Sequence, residues 1–177
     1  VLLFPEDPTE CFEMSAQALD LAERLQTPIF VMTDLDIGMN TRLCRPMAWD
    51  ETKAYDRGKV MTYDALEAGA DFGRYNDVDG DGIPYRTYPG THPQHGAYFT
   101  RGTTKDKYAR YSETGPDYVE NVTRLLRKFE TAKKLVPQPV LHKAKEPARF
   151  GAIYYGSTSP AMTEALDALA EQGIHVD

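Results

Sequence analysis

The sequence predicts an α/β protein made of parts of two parallel-sheet α/β domains, with a long irregular excursion between them. Three observations carry this. Residues 1–33 run as apolar strand, amphipathic helix and apolar strand with short connections, a βαβ unit whose strands are parallel. Residues 150–176 repeat strand and helix and open a further strand. Between them the signal changes from residue 38 to 115, and residues 69–115 are rich in Gly, Pro, Asp and Tyr with little periodicity. Irregular segments of that length in compact domains are functional or disordered.

Val1, Leu2, Leu3 and Phe4 form a continuous apolar run, the mark of a strand covered on both faces. The sequence opens without Met or a basic stretch, so it reads as a strand entered midway, neither a signal peptide nor a natural start. Pro5 ends the run. Asp7 can cap a helix, Pro8 fits its first position, and Glu10 can reach back to the cap N–H. Phe12, Ala16, Leu19 and Ala22 then recur at helical spacing. After Pro28, Ile29 to Thr33 form the second apolar strand. Asp34 stands at its carboxyl end with Asp36 just beyond, on the edge where open α/β sheets bind ligands.

A short helix is expected near Tyr63 to Ala68. Seven aromatic residues between Tyr75 and Tyr111 argue that the excursion is ordered, packed on something such as another subunit. Pro116 begins the clearest helix, with Val119, Val122, Leu125, Leu126, Phe129 and Ala132 on one apolar face. Glu120 with Arg124, and Glu130 with Lys134, have favourable i,i+4 spacing. Pro137 and Pro139 stop it and open an extended linker to about Pro147. Phe150 to Tyr155 read as a strand and Gly156-Ser157-Thr158 as a turn. Ser159 and Pro160 start a helix that Gly173 ends. Ile174 opens another strand, so both ends are expected to continue into further chain.

The net charge of −7 argues against nucleic acid or an anionic membrane as partner. The late cluster of Lys133, Lys134, His142, Lys143, Lys145 and Arg149 reads as a solvated helix end and linker. No apolar run approaches the roughly 20 residues that span a bilayer. Two distant cysteines, Cys11 and Cys44, exclude a disulfide framework, a zinc ribbon and a four-cysteine iron–sulfur cluster held by this chain alone. A buried free thiol at Cys11 suits a reducing cytoplasm.

Several motifs carry candidate chemistry. Asp77-Val78-Asp79-Gly80-Asp81-Gly82 matches the first half of a calcium loop, but Tyr88 occupies the twelfth position, and Pro84 and Pro89 block the exiting helix. A structural Asp/Gly turn is therefore expected; a calcium-binding or scaffolding module built on it is the rival reading. His92 and His95 flank Pro93, which disfavours the one-turn helical spacing of zinc ligands, and no metal site is expected. Gly156 to Ser159 could offer N–H groups to a phosphate, although a capped βα turn accounts for the same residues. There is no Gly-x-Ser-x-Gly, and neither cysteine has a nearby His. Arg101, Gly102, Thr103, Thr104, Lys105 and Asp106 form a stretch dense in charges and donors, which composition alone reads as a solvated loop.

The run from Pro5 to Phe12, the run from Ala22 to Asp34, the run from Asp77 through Tyr85-Arg86-Thr87-Tyr88-Pro89-Gly90-Thr91-His92-Pro93, and the helix segment Leu125 to Ala132 together resemble α subunits of 2-oxoacid:ferredoxin oxidoreductases. The resemblance runs along nearly the whole chain, and residues 77–93 look closest to the 2-oxoglutarate branch. It implies an enzyme that oxidatively decarboxylates a 2-oxoacid with coenzyme A and passes electrons to ferredoxin. Residues 1–139 would be the later part of the domain that binds the thiamine pyrimidine, with its excursion and long helix. Residues 147–177 would begin a transketolase-C-like domain. The resemblance implies that the β subunit holds the diphosphate of thiamine diphosphate, Mg²⁺ and an iron–sulfur cluster, that none of these is held by this chain alone, and that the isolated chain is inactive. The cofactor-contacting residues of this subunit are expected upstream of Val1. Residues 102–107 resemble a family loop near substrate and coenzyme A. Asp106 matches that loop's Asp, implied to be catalytic, and Lys105 stands where the family has His. Arg101, Gly102, Thr103, Thr104 and Lys105 are implied to lie near substrate or coenzyme A. Arg86, Arg101 and Lys105 are candidates to meet a second substrate carboxylate. A different thiamine enzyme, sharing both βα units, is a further rival.

Overall fold

Strand β1, Leu2–Leu3, runs parallel to β2, Phe30–Val31, with Leu2 opposite Phe30 and Leu3 opposite Val31. Helix α1, Pro8–Leu25, connects them. In this computed structural model, which describes residues 1–177, the architecture is mixed α/β around that two-stranded parallel sheet. Contacts group the chain into two units. One comprises Val1–Ala22, Thr27–Ala54 and Pro137–Asp177; the other comprises Glu23–Gln26 and Tyr55–Val136.

In the first unit the helix start is built as its residues dictate. The Glu10 N–H donates to Asp7 Oδ1 at 2.8 Å, and Glu10 Oε2 accepts from the Glu6 N–H at 2.9 Å, one residue before the cap. The strands differ from expectation. Leu3 is buried, whereas Leu2 and its partner Phe30 are each 54% exposed, so the sheet has one covered face rather than two. Asp34 caps the short α2, Leu35–Met39, by accepting from the Ile37 N–H at 2.9 Å. Phe150 bridges Val176 in parallel, with Asp177 N–H donating to Phe150 O and Ala152 N–H to Asp177 O. A 3-10 turn, Gly156–Thr158, leads into α5, Ser159–Glu171. Gly173, at φ +76°, lets the Ile174 N–H return to Leu169 O and close the helix end.

The second unit holds the excursion, which is ordered by long-range polar contacts. Helix α3, Tyr63–Glu67, is capped by Thr62 Oγ1. Val60 forms a parallel bridge with Arg86. Arg86 ion-pairs with Glu23, where Arg57 also sits at 3.3 Å. These two guanidiniums, the Arg86 hydrogen bond first, hold the Glu23 carboxyl below its ordinary value.

Helix α4, Gly115–Ala132, forms as expected, but of its expected apolar face only Ala132 is buried. Its buried residues are Arg124, Lys128 and Ala132, at i, i+4 and i+8, while Val119, Leu126 and Phe129 are 61, 62 and 46% exposed. The cause is the backbone of the loop at Gly82. A Cβ built there would lie 2.2 Å from Lys128 N and 2.6 Å from Arg124 O, so only a glycine admits this approach to the helix. Arg124 donates to Gly82 O at 3.0 Å rather than pairing with Glu120, and Thr131 Oγ1 donates to Asp81 O at 2.7 Å. Glu130 pairs with Lys133, three residues on, rather than with Lys134.

Candidate functional site

The loop that carries the sequence-derived candidates is folded around the carboxylate of Asp106. Its Oδ1 accepts from the Tyr108 N–H at 2.9 Å and the Arg110 N–H at 2.8 Å, while the Asp106 N–H donates to Arg110 O. This closes a turn that holds buried Ala109 at φ +72°, a conformation that costs an L-residue about 1–2 kcal/mol. Lys105 bridges Tyr111 across the loop, and Lys105 O accepts from the Asn121 side chain of α4. Gly102 sits at φ +71° with the Tyr111 ring 2.6 Å from where a Cβ would stand. Arg101 lies over that ring at 5.4 Å. Thr103 is exposed, and Thr104 O accepts from the Ser112 N–H.

Above this loop, three cations converge on one aromatic ring. Lys105 Nζ lies 5.3 Å from the Tyr75 centroid, Arg74 Cζ 5.4 Å and Arg124 Cζ 5.5 Å. Arg74 also lies 5.8 Å from the Tyr98 ring. Tyr98 in turn lines a cavity of about 370 Å³ formed with Tyr88, Thr91, His92 and His95, a size within the range of small-molecule sites. His92 Nδ1 accepts from the Gln94 and His95 N–H groups, so the ring proton sits on Nε2 and is donated to Glu67 at 2.7 Å.

Two of the remaining motifs, the Asp/Gly turn and the Gly156 turn, are engaged internally. Lys59 Nζ contacts Asp79 at 2.7 Å and Asp81 at 2.8 Å, and Arg127 holds Asp77 at 2.9 Å, so each carboxylate of the Asp/Gly turn faces a lysine or arginine. No group of three or more His, Cys, Asp or Glu side chains is arranged to hold a metal ion. In the first unit the Gly156 turn already holds an anion. Asp34 Oδ2 accepts from the Ser157 N–H at 3.0 Å, and Gly156, at φ +66°, leaves room for it. Hydrogen bonding from Ser157, then Ile37, keeps the Asp34 carboxyl below its ordinary value. The late basic residues Lys133, Lys134, His142, Lys143, Lys145 and Arg149 are exposed.

The structure thus brings Lys105 beside Arg74 and Arg124 and sets Arg101 apart on Tyr111. Arg86, the other candidate for a substrate carboxylate, is committed to Glu23 and to Arg57 O at 2.8 Å. The meeting of Arg74 and Tyr75 with Arg124 escapes a sequence reading because the adjacent pair and Arg124 come from separate segments. The i,i+4 spacing of Arg124 and Lys128, on the stripe that runs into Ala132 and borders the apolar one, was the available signal.

No protein-family model matches the sequence, and no curated protein matches it. A solved structure of 2-oxoglutarate:ferredoxin oxidoreductase from Magnetococcus marinus, with 2-oxoglutarate, coenzyme A and succinyl-CoA bound, superimposes with a TM-score of 0.78 at 19% identity. The match covers 99% of this chain and 29% of that one. At that identity the likeness is one of fold, and the chain spans less than a third of the length of the structure it matches.

Proposed function

We propose that this chain is a portion of the α subunit of a 2-oxoacid:ferredoxin oxidoreductase acting on 2-oxoglutarate. The observation that carries the reading is the fold match over 99% of the chain to an enzyme of that activity. The motif resemblance at residues 5–12, 22–34, 77–93 and 125–132 points independently to the same family. In this reading residues 1–139 belong to the domain that holds the thiamine pyrimidine, and residues 147–177 begin a transketolase-C-like domain. The exposed apolar stripe of α4, with Val119, Leu126 and Phe129, and the open face of the parallel sheet are where the remainder of a longer enzyme packs.

The donor set of this chain does not make a metal or iron–sulfur site. Cys11 and Cys44 are free thiols, and burial, then the field of Asp7, pushes the Cys11 thiol up, away from the thiolate a metal needs. The resemblance, rather than the donor set, assigns the diphosphate of thiamine diphosphate, Mg²⁺ and the cluster to the β subunit, and the remaining cofactor contacts to residues upstream of Val1. The contribution of this chain is electrostatic. Lys105, and the Asp106 carboxylate held in a fixed turn, face the substrate or coenzyme A and position charge there. The soluble partners are ferredoxin as electron acceptor and coenzyme A as acyl acceptor, in the cytoplasm.

The competing calcium-module reading loses its ligands to Lys59 and Arg127. The test is substrate choice in the full-length protein assembled with its β subunit. With thiamine diphosphate and coenzyme A, viologen reduction should show a higher kcat/KM for 2-oxoglutarate than for pyruvate. A site that pairs a second carboxylate with a cation rejects the analogue lacking it by orders of magnitude. A preference for pyruvate, or no reduction with either, contradicts the assignment.

A further inference from the structure

We propose that Arg74, Lys105 and Arg124, gathered around the Tyr75 ring, form a binding subsite for a multiply charged oxyanion. The proposal deepens the reading above by naming the ligand chemistry that meets Lys105. The three cations come from three separate segments, yet each lies within 5.5 Å of the same ring centroid. A tyrosine face attracts a cation, but it does not offset the mutual repulsion of three. The carboxylate whose field reaches Arg124, Asp77, gives Oδ2 to Arg127, while its buried Oδ1 has no hydrogen-bond partner. This concentration of positive charge stands in a chain of net charge −7.

Arg124 supplies an independent observation. It is 6% exposed, one of its terminal nitrogens donates to Gly82 O, and its Nε has no hydrogen-bond partner. A buried guanidinium nitrogen without an acceptor is costly and rare. The proton affinities of the group agree. Burial, then the field of Arg74, lowers that of Arg124; burial, then Arg124 and Arg74, lowers that of Lys128. An oxyanion entering among Arg74, Lys105 and Arg124 relieves the repulsion that Arg74 and Arg124 exert on one another.

Arg74 touches both rings, Tyr75 at 5.4 Å and Tyr98 at 5.8 Å, and Tyr98 lines the space of about 370 Å³. None of Arg74, Tyr75, Lys105 and Arg124 lines that space, so the oxyanion is assigned to the cations alone. Phosphate groups and a distal carboxylate share the required chemistry, and two probes separate them: sodium pyrophosphate and glutarate.

The experiment is calorimetric titration of the full-length holoenzyme, assembled with its β subunit and saturated with its cofactors, using each probe. Variants are Lys105→Ala, Arg74→Ala and Lys105→Arg, with Lys143→Ala as the remote control. At least one probe should bind saturably. Its affinity should fall tenfold or more in Lys105→Ala and in Arg74→Ala, recover substantially in Lys105→Arg, and hold in Lys143→Ala. Loss confined to pyrophosphate identifies a phosphate-bearing ligand, and loss confined to glutarate identifies a carboxylate. Equal affinities in parent, Lys105→Ala and Arg74→Ala, or no saturable binding of either probe, overturn the proposal. If these binding losses appear in a protein without 2-oxoacid oxidation, the anion subsite stands and the enzymatic reading falls. If oxidation proceeds and binding is indifferent to the variants, the reverse holds.

Discussion

Gly80 and Gly82 occupy one turn, two residues apart, at φ +74° and +82°, yet the structure gives them different weights. A Cβ on Gly80 meets nothing within 4 Å; one on Gly82 falls 2.2 Å from Lys128 N, 2.6 Å from Arg124 O and 2.7 Å from Lys128 Cα. Gly80→Ala therefore carries the left-handed penalty alone, about 1–2 kcal/mol. Gly82→Ala adds an overlap with helix backbone that no rotamer relieves, about 1–3 kcal/mol more. To escape, the loop must leave α4 and surrender the bonds from Arg124 to Gly82 O and from Thr131 to Asp81 O. Hydrogen exchange of peptides spanning residues 115–132 in the full-length protein reads the difference directly. An extra local loss of about 2 kcal/mol corresponds to exchange about 30-fold faster in Gly82→Ala than in Gly80→Ala. Equal exchange in the two variants would refute the claim that close backbone approach sets the orientation of α4.

Two further outcomes follow from buried or oriented charge. Burial, reinforced by Arg124 and Arg74, pulls Lys128 from 10.5 down to about 8. Between those values the unfolded chain binds the extra proton, so stability should rise with pH through that window, by up to about 3 kcal/mol. Lys128→Met should abolish that rise in thermal melts from pH 8 to 10.5, and parallel profiles for parent and variant would count against it. In Asp106→Asn the side-chain oxygen can still accept from the Tyr108 and Arg110 N–H groups, so the melting temperature should hold. If the charge positions substrate or coenzyme A, kcat/KM falls by about 10² to 10³; turnover within twofold of the parent reduces Asp106 to a turn residue.

Much of the fold was legible because its signals are local. The Asp7-Pro8-Glu10 start of α1, the Pro116 start of α4 and the Gly173 stop of α5 each rest on residues within one helical turn of the boundary. The parallel pairing of Leu2 with Phe30 follows from a helical connection between two apolar runs. The facing of α4 was not legible. Periodicity says that one stripe is apolar, not which stripe meets the Gly82 loop, which lies more than forty residues away along the chain and so near the helix backbone that it leaves no room for a Cβ. The candidate site divides in the same way. The loop at residues 102–107 was visible as a run of charges, whereas the pairing of Arg86 with Glu23 and the meeting of Arg74, Lys105 and Arg124 at Tyr75 join residues distant in sequence. No local pattern encodes those contacts.

The central claim is a reaction with fixed stoichiometry, and product counting tests it most directly. Full-length protein assembled with the β subunit proposed above is supplied with 2-oxoglutarate, coenzyme A, thiamine diphosphate and oxidised ferredoxin. Acyl-CoA, carbon dioxide and reduced ferredoxin are then measured together. Oxidative decarboxylation releases two electrons for each carbon dioxide and each acyl-CoA formed. The account predicts one succinyl-CoA and one carbon dioxide for every two one-electron reductions of ferredoxin, with no product when coenzyme A is omitted. Carbon dioxide released without acyl-CoA or reduced ferredoxin, or no turnover of 2-oxoglutarate at all, would contradict it.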